Sequence, residues 1–186
     1  MKAAYMCRIG ILLLALAGAG CGSVVRQGTG TSFLMVDALE FQTGHTLRSD
    51  VLTFNDMATV SFSLGLKDPS SPTGPTQSQF VTIDRYQVRF TRADGRNTQG
   101  VDVPYGFEGA FTLTVRGSPA EAEFTVVRTI AKREAPLLAL TNSRVILSTI
   151  AEITFFGRDQ TGRAVTATAR GSVDFGNFTN PQAANR

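Results

Sequence analysis

Alternation of apolar and polar residues is the feature of this sequence that most limits its fold. In the segment 57–66, Val60, Phe62 and Leu64 alternate with serine and glycine, and a similar pattern recurs at 80–91. A period of two is typical of β-strands that bury one face and expose the other to water. These segments therefore predict antiparallel strands that cover a common core.

Turn-forming segments separate the strand candidates every 8–15 residues. The loop 68–76 is rich in proline, and 93–97 contains an Asp-Gly pair, both of which favour a reversal of the chain. The apolar segment 33–41 is compatible with a strand or a short helix. The best helix candidate is 130–140, which Pro136 limits to short pieces. We expect this segment to connect two sheets.

Short strands with regular turns predict an all-β chain, folded as an antiparallel β-sandwich with at most one short helix. The predicted domain covers residues 33–176. Its closing strands, joined by a turn from Asp159 to Gly162, resemble the last hairpin of bacterial immunoglobulin-like modules. That resemblance implies an immunoglobulin-like sandwich.

The first 20 residues have the composition of an export signal. Lys2 and Arg8 supply positive charge, 9–16 is apolar, and 17–20 contains only alanine and glycine. The apolar run is shorter than the about 20 residues that a membrane-spanning helix needs. We therefore expect residues 1–20 to be a signal peptide that is removed.

Cys21 follows this signal directly. The sequence Gly18-Ala19-Gly20-Cys21 resembles the lipobox of bacterial lipoproteins, although the family usually has leucine where this chain has Gly18. The resemblance implies cleavage before Cys21 and acylation of its thiol. The only other cysteine, Cys7, would leave with the signal, so the mature chain would hold one thiol, at its N-terminus.

The segments on either side of the domain are polar. Residues 21–32 would form the lipidated cysteine and a flexible tether, and 177–186 a polar tail. In the lipoproteins that the chain resembles, aspartate after the cysteine favours retention in the inner membrane. This chain has Gly22 there, which implies the outer membrane, with the domain facing the periplasm or the cell surface.

Charge argues against a nucleic-acid partner. The full chain has 18 basic and 15 acidic residues, but Lys2 and Arg8 lie in the signal, which leaves 16 against 15 and a net charge of +1. The mature basic residues form no cluster along the sequence.

Few residues of the mature chain are suited to catalysis. It has no thiol besides Cys21 and one imidazole, His45, in a stretch that predicts a surface loop. No sequence motif for a nucleotide, a cofactor or a Ser-centred catalytic triad is present. We therefore predict no catalytic residues, no metal site and no cofactor, and a protein that is not an enzyme.

One loop combines aromatic and acidic side chains, as carbohydrate sites do. It contains Asp102, Tyr105, Phe107 and Glu108. The alternative is an ordinary connection whose aromatic rings fill the edge of the core.

Three turns each carry an aspartate, namely Asp68, Asp94 and Asp159. They would bind Ca²⁺ only if they met at one end of the sandwich, since Ca²⁺ takes six to eight oxygen ligands. Local hydrogen bonding within each turn is the alternative, and we favour it.

Together these features predict a membrane-anchored envelope lipoprotein that acts as a non-enzymatic structural or adaptor module. Its expected partners are the membrane, through acylated Cys21, and envelope proteins or glycans. The alternative is a protein that binds a glycan or a small ligand through the loop 102–108.

Overall fold

The computed structural model describes residues 32–66, 74–117 and 119–179. The predicted signal peptide, Cys21, nearly all of the tether, Asp68 and the end of the tail lie outside the described residues.

Within these ranges the chain forms eight strands, one short helix and two 3₁₀ turns. The strands are β1 Ser32–Phe41, β2 Thr46–Asp50, β3 Asp56–Leu66, β4 Val81–Thr91, β5 Phe107–Val115, β6 Ala120–Val127, β7 Leu147–Asp159 and β8 Ala164–Gly176. The helix α1 is Thr129–Lys132, and the 3₁₀ turns are Gln77–Gln79 and Leu137–Leu140. The all-β prediction is confirmed, and the segment 33–41 is a strand.

The strands form two sheets, ordered β1-β3-β6 and β2-β8-β7-β4-β5. All pairs are antiparallel except β2 and β8, which run parallel. The segment between β6 and β7 holds α1 and the second 3₁₀ turn, and it connects the two sheets as predicted. The immunoglobulin-like connectivity remains a prediction.

The hairpin β7–β8 has the turn that the sequence predicts. The N–H of Gly162 donates to the carbonyl of Asp159 at 2.9 Å, and Gly162 has a φ of 84°. This left-handed conformation favours glycine, which lacks a Cβ. The pairing covers all but one residue of each strand, from Arg158 with Ala164 to Leu147 with Phe175.

The core lies between the two sheets and is rich in aromatic rings. Phe62 of β3 meets Phe155 of β7 edge to face with ring centroids 4.9 Å apart, and Tyr86 of β4 meets Phe124 of β6 at 5.1 Å. Edge-to-face packing is a favoured arrangement of aromatic pairs. Each pair joins one sheet to the other, so these rings hold the two layers together.

Two segments differ from their predicted limits. The strand candidate 47–54 ends at Asp50, because the Asp50 carboxylate accepts the N–H of Leu52 and turns the chain. The tail begins with ordered contacts: the Asn177 amide donates to the carbonyl of Thr141 at 2.6 Å, and the N–H of Phe178 donates to Asp50 at 3.1 Å.

No helix among the described residues is long and apolar enough to cross a membrane.

Candidate functional site

The loop between β4 and β5 is closed by its own hydrogen bonds. The carbonyl of Thr98 accepts the N–H groups of Val101, Asp102 and Val103 at 2.8–3.3 Å. The Asp102 carboxylate accepts the N–H of Thr98 at 3.2 Å. Asp102 thus stabilises the loop itself.

Tyr105 stands at the surface of this loop with half of its side chain exposed. Its ring lies against Gly100, where a Cβ would collide with it, and Gly100 has a φ of 77°. A glycine is therefore required on two grounds, space and backbone conformation.

Phe107 and Glu108 begin β5 and point to opposite faces of the sheet, as successive strand residues do. Phe107 is buried and packs edge to face on Tyr86, with ring centroids 6.2 Å apart. Glu108 is exposed and accepts from Arg85 at 3.1 Å and from Gln87 at 3.4 Å. Of the four residues in the predicted ligand loop, these two are the ones that border a common cleft.

That cleft lies at the open side of the sandwich, between β5 of one sheet and the end of β6 of the other. Its volume is about 350 Å³, within the range of small-molecule sites. We call it the Arg128 cleft, and the residues that matter for its chemistry are Asn55, Tyr86, Phe107, Glu108, Arg128 and Thr129. Asp102 and Tyr105 do not line it.

Arg128 is the cation of the cleft and was not singled out by the sequence. Its guanidinium carbon lies 4.4 Å from the centre of the Phe107 ring, a cation–π contact. Its Nε is buried and has no hydrogen-bond partner among the described residues. A buried donor without an acceptor is uncommon and costs stability.

Several other polar groups of the cleft are hydrogen-bonded to one another. The N–H and hydroxyl of Thr129 donate to the Asn55 side-chain oxygen at 2.7 and 2.9 Å. Burial raises the pKa of the Tyr86 phenol above its usual value, against the opposing effect of hydrogen bonds with Thr125 and the charge of Arg128. The phenol is therefore neutral at pH 7.

Four exposed apolar side chains lie on three segments that adjoin one another at one end of the domain. They are Leu52 and Phe54 in the turn between β2 and β3, Ile130 on α1, and Leu138 in the second 3₁₀ turn. We call these four residues the apolar tip. Phe54 is 82% exposed, a large fraction for a phenylalanine.

The apolar tip and the start of β1 lie at opposite ends of β3. Ser32 pairs with Leu66 at the last residue of β3, whereas the turn that carries Phe54 leads into Asp56 at its first. The ten residue steps of this strand correspond to about 33 Å. Ser32, where the described chain begins, therefore lies far from the apolar tip.

A buried lysine holds the turn of the apolar tip in place. The Nζ of Lys132 donates to the carbonyls of Asp50 at 2.8 Å and Phe54 at 2.7 Å and to the hydroxyl of Thr53 at 3.0 Å. It also lies 3.0 Å from a carboxylate oxygen of Asp56. Lys132 is 2% exposed. Its hydrogen bonds join α1 to the turn, and its ion pair with Asp56 joins α1 to the start of β3.

Asp50 joins the same turn to the end of β8. Burial by itself would raise the pKa of Asp50, but hydrogen bonds from the Thr179 hydroxyl and from the N–H groups of Leu52, Phe178 and Thr179 hold the pKa below its usual value. The ionised carboxylate is thus the form that stabilises this contact.

The two turn aspartates that the structure describes, Asp94 and Asp159, do not meet. Asp94 follows the end of β4, whereas Asp159 pairs with Val81 at its start, so the two lie at opposite ends of the sheet. The side chain of Arg92, together with Arg96, lowers the pKa of Asp94 to about 2. In the parts of the chain that the structure describes, no three His, Cys, Asp or Glu side chains are grouped to hold a metal ion. His45 is exposed in a turn, as predicted.

Comparison with known proteins gives no family. The chain matches no protein-family model, and no curated protein matches it. The solution structure of a putative late embryogenesis abundant (LEA) protein is similar with a TM-score of 0.43 and 11% identity, over 95% of this chain and 88% of that one. The X-ray structure of a structural genomics target, SoR45, is similar with a TM-score of 0.36 and 10% identity, over 76% and 84% of the two chains.

Proposed function

We propose that this chain is a lipid-anchored protein of the bacterial cell envelope, in the outer membrane, and that it acts as a non-enzymatic adaptor. The anchor is acylated Cys21, and two or more acyl chains hold a protein stably on a membrane. The observation that supports the adaptor role is the apolar tip, which lies at the opposite end of β3 from Ser32.

The distances suit an adaptor. A tether of eleven residues spans about 18 Å as a flexible coil, and β3 adds about 33 Å. The apolar tip would then face away from the anchoring leaflet, where an envelope protein can contact it. Apolar side chains in such a position are typical of protein interaction sites.

Site-specific photo-crosslinking in intact cells tests this function. A photoreactive phenylalanine analogue replaces Phe54 in the apolar tip or, as the matched control, Phe33, which is 43% exposed near the start of β1. We expect one discrete adduct from position 54 that disappears with Leu52→Ser, and none from position 33. Equal adducts from both positions, or none from position 54, would contradict the adaptor role.

A second candidate is a protein that binds a glycan or a small ligand. The observation that favours it is the Arg128 cleft, which includes Phe107 and Glu108 of the predicted ligand loop. Screening the full chain on a glycan array, beside Tyr105→Ala, tests whether the exposed ring of the loop takes part. Absence of binding by the wild type would remove the glycan version of this candidate.

A further inference from the structure

The Arg128 cleft has one unsatisfied group, the guanidinium of Arg128. Each charged side chain near it has a partner except this one: Glu108 is paired with Arg85, and the described residues offer no hydrogen-bond acceptor to Arg128 Nε. The guanidinium carbon lies 4.4 Å from the centre of the Phe107 ring, which keeps the group beside the cleft. An unpaired guanidinium is suited to the two oxygens of a carboxylate.

We infer that the Arg128 cleft binds a small carboxylate, with the guanidinium of Arg128 donating to its oxygens. This inference deepens the ligand-binding candidate, on which it rests, and does not depend on the adaptor role. Nε is covered in the structure, so the guanidinium must pivot slightly on the Phe107 ring to present it. The hydrogen bond gained by a buried, unpaired donor offsets that movement.

Two features of the cleft favour a carboxylate over a neutral ligand. Glu108 is its one acidic lining residue, and this carboxylate is neutralised by Arg85 at 3.1 Å, so the net charge beside the ligand is positive. The hydroxyl and N–H of Thr129 are engaged with Asn55, and Arg128 is the one cationic donor among the lining residues. The volume of about 350 Å³ admits a single sugar acid or one acidic side chain.

Nitrogen-15 NMR of the full chain in detergent micelles tests the inference, because arginine Nε–H groups give their own signals. The probes are glucuronate, its neutral counterpart glucose, N-acetylglutamate and inorganic phosphate. The signal of Arg128 is assigned by its loss in Arg128→Lys. We expect the carboxylates to shift this signal downfield saturably, and glucose to leave it in place.

The variant Arg128→Lys keeps the charge and loses the planar pair of donors, so we expect its affinity for the carboxylate to fall about ten- to a hundredfold. The control is Arg133→Lys, an exposed arginine five positions along the chain, which should bind as the wild type does. Well-dispersed amide spectra of both variants show that the fold is intact.

The outcomes distinguish an acidic glycan from an acidic side chain as the source of the carboxylate. They also distinguish the carboxylate inference from the ligand-binding candidate on which it rests. Tighter binding of glucuronate indicates an acidic glycan, and tighter binding of N-acetylglutamate indicates an acidic side chain of a partner protein. Tighter binding of phosphate, or equal binding of glucose and glucuronate, would contradict the inference that the cleft binds a carboxylate. Both results would remain compatible with the ligand-binding candidate. Absence of any saturable shift, together with a blank glycan array, would contradict both the carboxylate inference and the ligand-binding candidate.

Discussion

Replacing Lys132 by methionine tests how the turn of the apolar tip is held. Methionine keeps the length of the apolar stem and removes the ammonium group. The carbonyls of Asp50 and Phe54 and the carboxylate of Asp56, all within 3.0 Å of Nζ, then lose their common partner. Breaking a buried ion pair on one side costs about 3–5 kcal/mol, since the other charge is left unpaired.

That loss is a large part of the stability of a single domain, which is about 5–15 kcal/mol. For a chain of this size it corresponds to a fall in Tm of about 6–20 °C. Urea unfolding followed by circular dichroism measures it directly, with an unchanged m-value if the transition remains two-state.

Two further variants isolate the cause of the effect. Arg133→Met removes a cation from the adjacent, exposed position, and we expect a change within about 0.5 kcal/mol. Adding Asp56→Ala to Lys132→Met should cost less than the sum of the two single changes, because the two side chains are in contact. A loss below about 1 kcal/mol for Lys132→Met, or full additivity, would refute the ionic contact.

Three other changes give distinct outcomes. Hydrogen bonds lower the pKa of Asp50 in the folded protein, whereas in the unfolded chain its pKa is about 3.9. The ionised form therefore stabilises the fold above that pH, and this contribution is lost as the pH falls through the folded-state pKa. Asp50→Asn should therefore lower the free energy of unfolding by about 1–3 kcal/mol at pH 7, and by progressively less in urea titrations below pH 4. A difference between the variant and the wild type that does not change with pH would contradict a stabilising role of the ionised carboxylate. Phe155→Ala should cost about 3–5 kcal/mol because its ring is fully buried, whereas Phe54→Ala should be nearly neutral in the same assay because its ring is exposed. Similar losses for the two variants would contradict this difference in burial. Gly157→Ala should lower the Tm, because a Cβ there meets the backbone of β4, while Gly74→Ala, with open space around it, should leave the Tm unchanged.

Much of the fold could be predicted because half-buried antiparallel strands carry their own signature. Val60 and Phe62 are fully buried in β3, and Val88 in β4, on the faces that their alternation predicts. The short helix could be limited in advance because Pro136 cannot continue a helix. These features depend on residues that are neighbours in sequence.

The parallel strand β2 could not be predicted in the same way. It has five residues, Thr46–Asp50, too few to show a clear period. Its partner is the end of β8, more than 120 residues away. Pairing at that distance is decided by the packing of the whole domain, and the local sequence carries little information about it.

The candidate site shows the same limit. Asn55 and Thr129 meet across 74 positions of sequence to form one side of the Arg128 cleft, and no local motif reports such a meeting. Phe107 and Glu108 belong to one loop in the sequence prediction, yet they begin β5, where successive side chains point to opposite faces of the sheet. Lys132 would be expected at the surface, and only its four oxygen partners explain its burial.

The anchor is the central element of the proposed function, and intact mass spectrometry tests it most directly. The protein is purified from membranes beside a Cys21→Ala variant. We expect the mass of residues 21–186 plus two or three acyl chains, and loss of this species in the variant. An unmodified mass that begins at another residue would contradict the anchor and, with it, the orientation that presents the apolar tip to an envelope partner.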